Sequence, residues 1–229
     1  MSISKFPLSS DLITSAYLDA CHLEVRALKP GNVHIFSDGH GMTVEQFDRS
    51  AKISAPFISD KTLSVGSRIR KSMEGTLQAV QTNTNLGILI LCAPLAAAAH
   101  SEGSEATLDQ RLTLVLSHLT HQDACDVYRA IFQAQPAGLG NVAEGDVARI
   151  PPLEWTLLDA MRASASHDLI ARQYAENFSD LIQCAEIFLR SVEEGVTREE
   201  ALSFVFIKKL AEIPDTHIIR KYGPAIKCI

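Results

Sequence analysis

Seven consecutive residues, Gln81-Thr82-Asn83-Thr84-Asn85-Leu86-Gly87, set four helix-capping side chains directly ahead of the most apolar stretch of the chain, Leu86 to Ala99. A helix that starts there offers unbonded backbone amides and the positive end of its dipole, and the Thr and Asn side chains add hydrogen-bonding groups. The segment is therefore suited to holding an anion such as a phosphate chain. The stretch that follows is apolar all round, so its start is expected to be buried, where polar groups must find partners. That favours a ligand site over the plainer reading of one capping residue and three loop residues.

Other groups able to do chemistry are scattered more widely. Glu24 stands near the end of a helical stretch, just before Lys29-Pro30-Gly31-Asn32-Val33-His34 and Gly39-His40-Gly41. In that loop Pro30 stops the helix, the glycines let backbone approach a ligand, and Lys29 supplies a point charge for a phosphate. A solvated loop whose Asn, Asp and Gly only make turns accounts for the same residues. Glu74 lies two helical turns before Thr82. Its carboxylate could bind magnesium or take a proton, or simply be a solvated helix residue. A second glycine-rich loop, Pro136 to Asp146, lacks the preceding strand of a dinucleotide fingerprint, and Asp146 is its candidate metal ligand. Asp168 and Arg172 read as a surface i, i+4 pair. Near the C-terminus, Asp215 to Gly223 reads as a short helix whose Arg220 and Lys221 suit the helix dipole and could also reach a phosphate.

These groups need a scaffold, and the spacing of apolar residues supplies a helical one. Thr107-Leu108-Asp109-Gln110, Thr43-Val44-Glu45-Gln46 and Thr197-Arg198-Glu199-Glu200 are capping-box patterns, each ahead of apolar residues at three- and four-residue steps. Residues 9–27, 60–80, 122–134, 153–165 and 168–194 carry the same spacing, with Pro152 placed for the first turn of its helix. No run alternates apolar and polar residues as a half-buried strand does. The expected fold is all-α: one domain over residues 1–229, a bundle of about ten helices. Leu28 to Gly41 and Gln135 to Pro151 are its long connections, and loops of that length are often functional.

Composition narrows the function. A 46% hydrophobic and 21% charged chain of 229 residues folds on its own, and a net charge of −6 with scattered Lys and Arg gives no basic stripe for a nucleic acid. Met1 to Asp11 lacks the pattern of a signal peptide, and Leu86 to Ala99 falls short of the roughly 18 apolar residues that span a bilayer. Five widely spaced cysteines without a Cys-x-x-Cys pair read as reduced thiols. The expectation is a cytoplasmic protein with no membrane and no nucleic-acid partner.

Five segments in order resemble the triphosphoribosyl-dephospho-CoA synthase family: Glu24 with Lys29-Pro30-Gly31-Asn32-Val33, Gly39-His40-Gly41-Met42, Glu74, Asn83-Thr84-Asn85-Leu86-Gly87, and Asp215-Thr216 with Arg220-Lys221-Tyr222-Gly223. The resemblance implies an all-helical enzyme that uses ATP with a divalent metal, Mg2+. The hydroxyl of 3'-dephospho-CoA attacks the anomeric carbon of the ribose and adenine leaves. Such a displacement passes through an oxocarbenium-like centre, which a carboxylate stabilises while a second group moves a proton. On this resemblance Glu24, His40 and Glu74 are the catalytic candidates. Lys29, Asn32, Thr82, Asn83, Thr84, Asn85, Arg220 and Lys221 hold ATP and its phosphates, and Glu74 or Asp146 holds the metal. Asn85 stands where the family usually has His, and Gly41 where it has an acidic residue.

The Gly39-His40-Gly41-Met42 form, the second glycine-rich loop and Asp168 to Tyr174 are more similar to a branch associated with tetrahydromethanopterin-linked one-carbon metabolism. The alternative activity is thus a related ribosyl or phosphoribosyl transfer in the synthesis of a C1 carrier. A rival of another class is a non-catalytic helical binding protein, which would scatter these residues rather than gather them. The expected partners are small-molecule nucleotide and acceptor substrates, with homodimerisation left open.

Overall fold

The computed structural model describes residues 7–36, 41–101, 106–135 and 151–212. Among these, ten helices follow one another: α1 (Ser10–Arg26), α2 (Val44–Ile58), α3 (Val65–Val80), α4 (Leu86–His100), α5 (Leu108–Ser117), α6 (His121–Ala134), α7 (Leu157–Ser164), α8 (Leu169–Ala175), α9 (Ser179–Glu193) and α10 (Arg198–Glu212). No strand occurs among the described residues, and none of their helices is long and apolar enough to cross a membrane. Asp146, His40 and the Asp215 to Gly223 segment lie outside them.

The three expected capping boxes form. Thr43 and Gln46 exchange backbone and side-chain bonds at the start of α2, Thr107 and Gln110 do so at α5, and Thr197 and Glu200 at α10. Two more boxes, Thr120 with Asp123 and Thr156 with Asp159, start α6 and α7. The Thr156 box corrects one expectation. It starts α7 at Leu157, so Pro152 is not in the first turn but in a preceding turn closed by the Trp155 amide on the Pro152 carbonyl at 2.9 Å. The stretch 60–80 likewise begins as a turn, in which the Asp60 carboxylate accepts from the Thr62 amide, before Ser64 caps α3.

The expected helix over 168–194 is two helices. Asn177 and Phe178 adopt left-handed backbone at φ 52° and 59°, and the Phe178 amide donates to the Gln173 carbonyl at 2.7 Å. Neither Gly nor Pro marks the break. Its reason is packing: Phe178 is fully buried and its ring lies 5.3 Å from that of Tyr174, so core contacts offset a backbone conformation that costs ~1–3 kcal/mol outside Gly.

The apolar α4 is the centre of the bundle and touches α1, α2, α3, α5, α6 and α8. Leu89, Ala93 and Ala98 are fully buried along it. Pro94 sits inside this helix without breaking it. A proline has no N–H, so the carbonyl four residues earlier, that of Ile90, loses its helical partner. The Tyr174 hydroxyl, from α8, donates to that same Ile90 carbonyl at 2.6 Å. Arg68, 2% exposed, serves the C-terminus of α2 in a similar way, donating to the Ile58 and Leu63 carbonyls, and His100 bonds to the Ser59 carbonyl at 3.0 Å.

Side-chain pairs fix the helix directions. Between α1 and α2 the pairs are Thr14 with Ser59, Tyr17 with Ser54 and His22 with Asp48, so the two run antiparallel. Ser72 bonds to the Ser54 carbonyl and Gly75 faces Ile53, so α3 is antiparallel to α2. Between α3 and α6 the order is Gly66 with Asp123, Ser67 and Arg70 with Asp126, and Glu74 with Arg129, which makes that pair parallel. The C-terminus of α1, the N-termini of α2 and α4, and the C-termini of α3 and α6 therefore share one end of the bundle.

Candidate active site

At that shared end the Thr82 to Asn85 turn joins α3 to α4. The Asn83 carboxamide accepts from the Leu86 amide at 3.1 Å and so caps α4. Thr84 and Asn85 are buried, and they turn inward: the Thr84 hydroxyl donates to Ser50 at 2.6 Å, and the Asn85 amide donates to Ser54 at 3.4 Å. Ser54 is also bonded to Tyr17 at 2.8 Å. Ser50 and Ser54 point from α2 into the bundle, where a buried face normally carries apolar groups, and give their own protons to the Gln46 and Ser50 carbonyls one turn back.

The result is a buried polar seam that runs from Tyr17 through Ser54 to Asn85, with Ser50 and Thr84 beside it. Burial pushes the Tyr17 phenol far above its ordinary range, followed by the neighbouring Cys21 thiol, so Tyr17 stays neutral and serves as a hydrogen-bonding group. Burial likewise pushes Cys21 up to about 11. Two seam atoms lack hydrogen-bond partners among the described residues: Asn85 Oδ1 and, one turn beyond Ser72 on α3, Thr76 Oγ1. Buried acceptors in that state cost roughly 1–3 kcal/mol each, which is typical of a site that completes itself with a ligand or water.

Glu24 lies one turn beyond Cys21 on α1, at the same end. Its Oε1 and its backbone carbonyl both receive the Lys29 ammonium, and Lys29 is 4% exposed. Its other oxygen, Oε2, is buried and lacks a partner among the described residues. Lys29 thus pairs with Glu24 rather than standing free for a phosphate, and it fixes the carboxylate with one acceptor atom unspent. Asn32 is exposed in the turn that follows, its amide bonded to the Lys29 carbonyl at 3.1 Å.

Beside the turn, a groove of about 330 Å³ is lined by Glu45, Gln46 and Arg49 from the start of α2 and by Ala79, Val80 and Gln81 from the end of α3. Thr82 follows directly, and Gln81 reaches the turn through left-handed backbone at φ 58°. Arg49, Ser50, Ser54 and Tyr17 were not singled out by their sequence. The polar pair Ser50 and Ser54, four residues apart on the inward face of α2, is the signal that marks them.

Glu74 is placed differently. It projects toward α6, where Arg70 donates to both of its oxygens at 3.1 Å and Arg129 stands 3.7 Å away. Arg70 also holds Asp126 at 2.9 Å, and Ser67 donates to Asp126 at 2.8 Å. These bonds commit Glu74 to the contact between α3 and α6. Among the described residues no group of three or more His, Cys, Asp or Glu could hold a metal ion. With both oxygens on Arg70, the Glu74 carboxylate does not fit a metal ligand in this arrangement. Asp168 is a helix cap, accepting from the Ala171 amide at 2.9 Å, and Arg172 pairs with Asp180 at 2.7 Å instead.

With this geometry in view, the comparison with known families decides the class. Residues 10–227 match the family model described as CitG: ATP:dephospho-CoA triphosphoribosyl transferase. The chain belongs to this family. The match covers every described helix and agrees with the all-helical fold. Searches of curated proteins and of solved structures give no match. As a member of the ATP:dephospho-CoA triphosphoribosyl transferases, the chain is a transferase whose substrates are small molecules, ATP among them.

Proposed function

We propose that this chain transfers the triphosphoribosyl group of ATP to 3'-dephospho-CoA at the end of the bundle where Glu24, Lys29, the α2 and α3 groove and the Thr82 to Asn85 turn converge. The observation that carries this reading is the Glu24 carboxylate, held by the buried Lys29 with Oε2 unpartnered among the described residues. An oriented carboxylate with one oxygen to spare suits a reaction whose transition state gathers positive charge on a ribose carbon.

In the proposed step the acceptor hydroxyl oxygen bonds to ribose C1', the bond from C1' to the adenine nitrogen breaks, and adenine departs with the triphosphate still on the ribose. Glu24 would stabilise the developing charge and receive the hydroxyl proton, which requires its buried Oε2 to be uncovered when substrate binds. His40, whose ordinary pKa of about 6.5 lies near neutrality, would give a proton to the leaving base. Asn83 and Thr82, with Arg49 on the opposite side of the groove, would bind the phosphates, joined by Asn32, Arg220 and Lys221. Lys29 acts through Glu24 as a positioning residue, while Thr84 and Asn85 hold the turn to α2. Magnesium would enter on the triphosphate, since it is commonly held by substrate phosphates and few protein groups. Direct binding by Glu74 would require its release from Arg70, and Asp146 is the other proposed ligand. The protein is proposed to work in the cytoplasm.

The acceptor has a second reading. Asn85 is buried and its amide is committed to Ser54. It cannot act as an acid or base where the resemblance has His, which makes a related acceptor, such as a C1-carrier precursor, the alternative to dephospho-CoA. Calorimetry with ATP, with and without magnesium, followed by an adenine-release assay with dephospho-CoA, tests both. Binding with release supports dephospho-CoA, binding without release supports the second acceptor, and absence of binding overturns the enzymatic reading.

A further inference from the structure

Cys125 and His121 lie four residues apart on α6, on the side of the helix that meets the connection before α7. Cys125 Sγ is 3.3 Å from His121 Nε2, and His121 Nδ1 is 3.0 Å from the Trp155 carbonyl oxygen. A carbonyl oxygen carries no hydrogen, so in the neutral ring Nδ1 must hold the proton and donate it to Trp155. That leaves the Nε2 lone pair facing the thiol, which donates to it. Nucleophile, base and a third group that orients the base are thus in place.

Neither residue belongs to the site proposed for the transferase reaction. Cys125 and His121 are both half-buried. The other described thiols are set otherwise. Burial pushes Cys21 up to about 11 and Cys92 up to about 12, and Cys184 is raised by burial on α9, with Lys209 opposing the shift. None of these three has a histidine partner among the hydrogen bonds of the described residues.

We propose that Cys125 is a site of covalent modification by low-molecular-weight disulfides, with His121 as its general base. The Cys125 thiol passes its proton to His121 Nε2 as the sulfur attacks one sulfur of the disulfide. A new S–S bond forms and the reagent's own S–S bond breaks. The departing thiolate takes the proton from His121, so Cys125 is oxidised to a mixed disulfide while one equivalent of free thiol is produced. The adduct sits one residue before Asp126, the carboxylate that receives Ser67 and Arg70 across the α3 and α6 contact.

The test uses the full-length chain carrying Cys228→Ser, treated with oxidised glutathione at neutral pH and sampled over time by peptide mass spectrometry. Cys125 should gain glutathione at least about 10-fold faster than Cys21, Cys92 or Cys184, and His121→Ala should slow Cys125 by about the same factor. Faster labelling of any of the other three, or an unchanged Cys125 rate in His121→Ala, overturns the proposal. Should His121→Ala fail to fold, nitrogen-15 NMR of the unsubstituted chain decides the point. A neutral ring protonated at Nδ1 supports the arrangement, and one protonated at Nε2 overturns it.

Discussion

Tyr174→Phe should destabilise this protein far more than the loss of one hydroxyl suggests, because that hydroxyl replaces a bond that Pro94 cannot make. Tyr174 is 1% exposed and its oxygen lies 2.6 Å from the Ile90 carbonyl, one turn before Pro94. Phe keeps the ring contact with Phe178 and leaves the carbonyl buried without a donor, at a cost of about 1–3 kcal/mol. For a chain of this size that lowers Tm by roughly 2–4 °C per kcal/mol. The decisive comparison repeats the substitution in Pro94→Ala. The alanine restores an N–H to the Ile90 carbonyl, so removing the Tyr174 hydroxyl should then cost under ~1 kcal/mol. Urea titrations of the four proteins give the coupling. If Tyr174→Phe costs the same in both backgrounds, within the ~0.5 kcal/mol expected of independent sites, the proposed substitution of one donor for another is wrong.

Asn83→Ala should remove the cap of α4, costing ~1 kcal/mol by thermal melting, and should also weaken ATP binding by calorimetry. Glu24→Gln should lower adenine release at saturating ATP by ~100-fold or more while ATP still binds; an unchanged turnover would exclude Glu24 from the chemistry. Glu74→Gln should slow turnover less than Glu24→Gln, because its carboxylate is spent on Arg70. Burial alone would raise the Asp180 carboxyl, but the bonds from Arg172 and Gln173 and the nearby Lys209 hold it below its ordinary range. Its contribution to stability is therefore complete above the ordinary value of about 3.9 and is lost as pH falls through the lower folded value. Asp180→Asn should flatten the acid limb of a stability-against-pH curve. Gly66→Ala should disrupt the α3 and α6 contact, since a Cβ there would lie 2.5 Å from the Asp123 Cα, a backbone atom that cannot swing aside, and circular dichroism at rising temperature will show the loss.

Much of this architecture could be read from the chain because it is written in local rules. Thr43, Thr107 and Thr197 each announce a helix through a residue three places on, and the apolar run from Leu86 defines the central helix without ambiguity. The break at Asn177 and Phe178 could not be read, because its cause is a distant packing demand and no Gly or Pro records it. The site divides in the same way. The Thr82 to Asn85 turn was visible as a helix start, but that Thr84 and Asn85 face the serines of α2 depends on how α2 lies against α4. The pairing of Lys29 with Glu24 was hidden too: five residues apart and across a helix end, it follows no helical spacing.

The close approach at Gly66 also sets how the bundle can move. At that point α3 and α6 touch backbone to backbone, whereas toward the proposed site they are spanned by long side chains, with Arg129 reaching Glu74 at 3.7 Å. The pair is built like scissors with the rivet at one end. Gln81 lies fifteen residues beyond Gly66, roughly 22 Å at 1.5 Å per residue, so a 5° swing about that rivet carries the groove wall through about 2 Å. Any relative motion of α3 and α6 is therefore expected to be smallest at Gly66 and largest toward Gln81, at the wall of the groove.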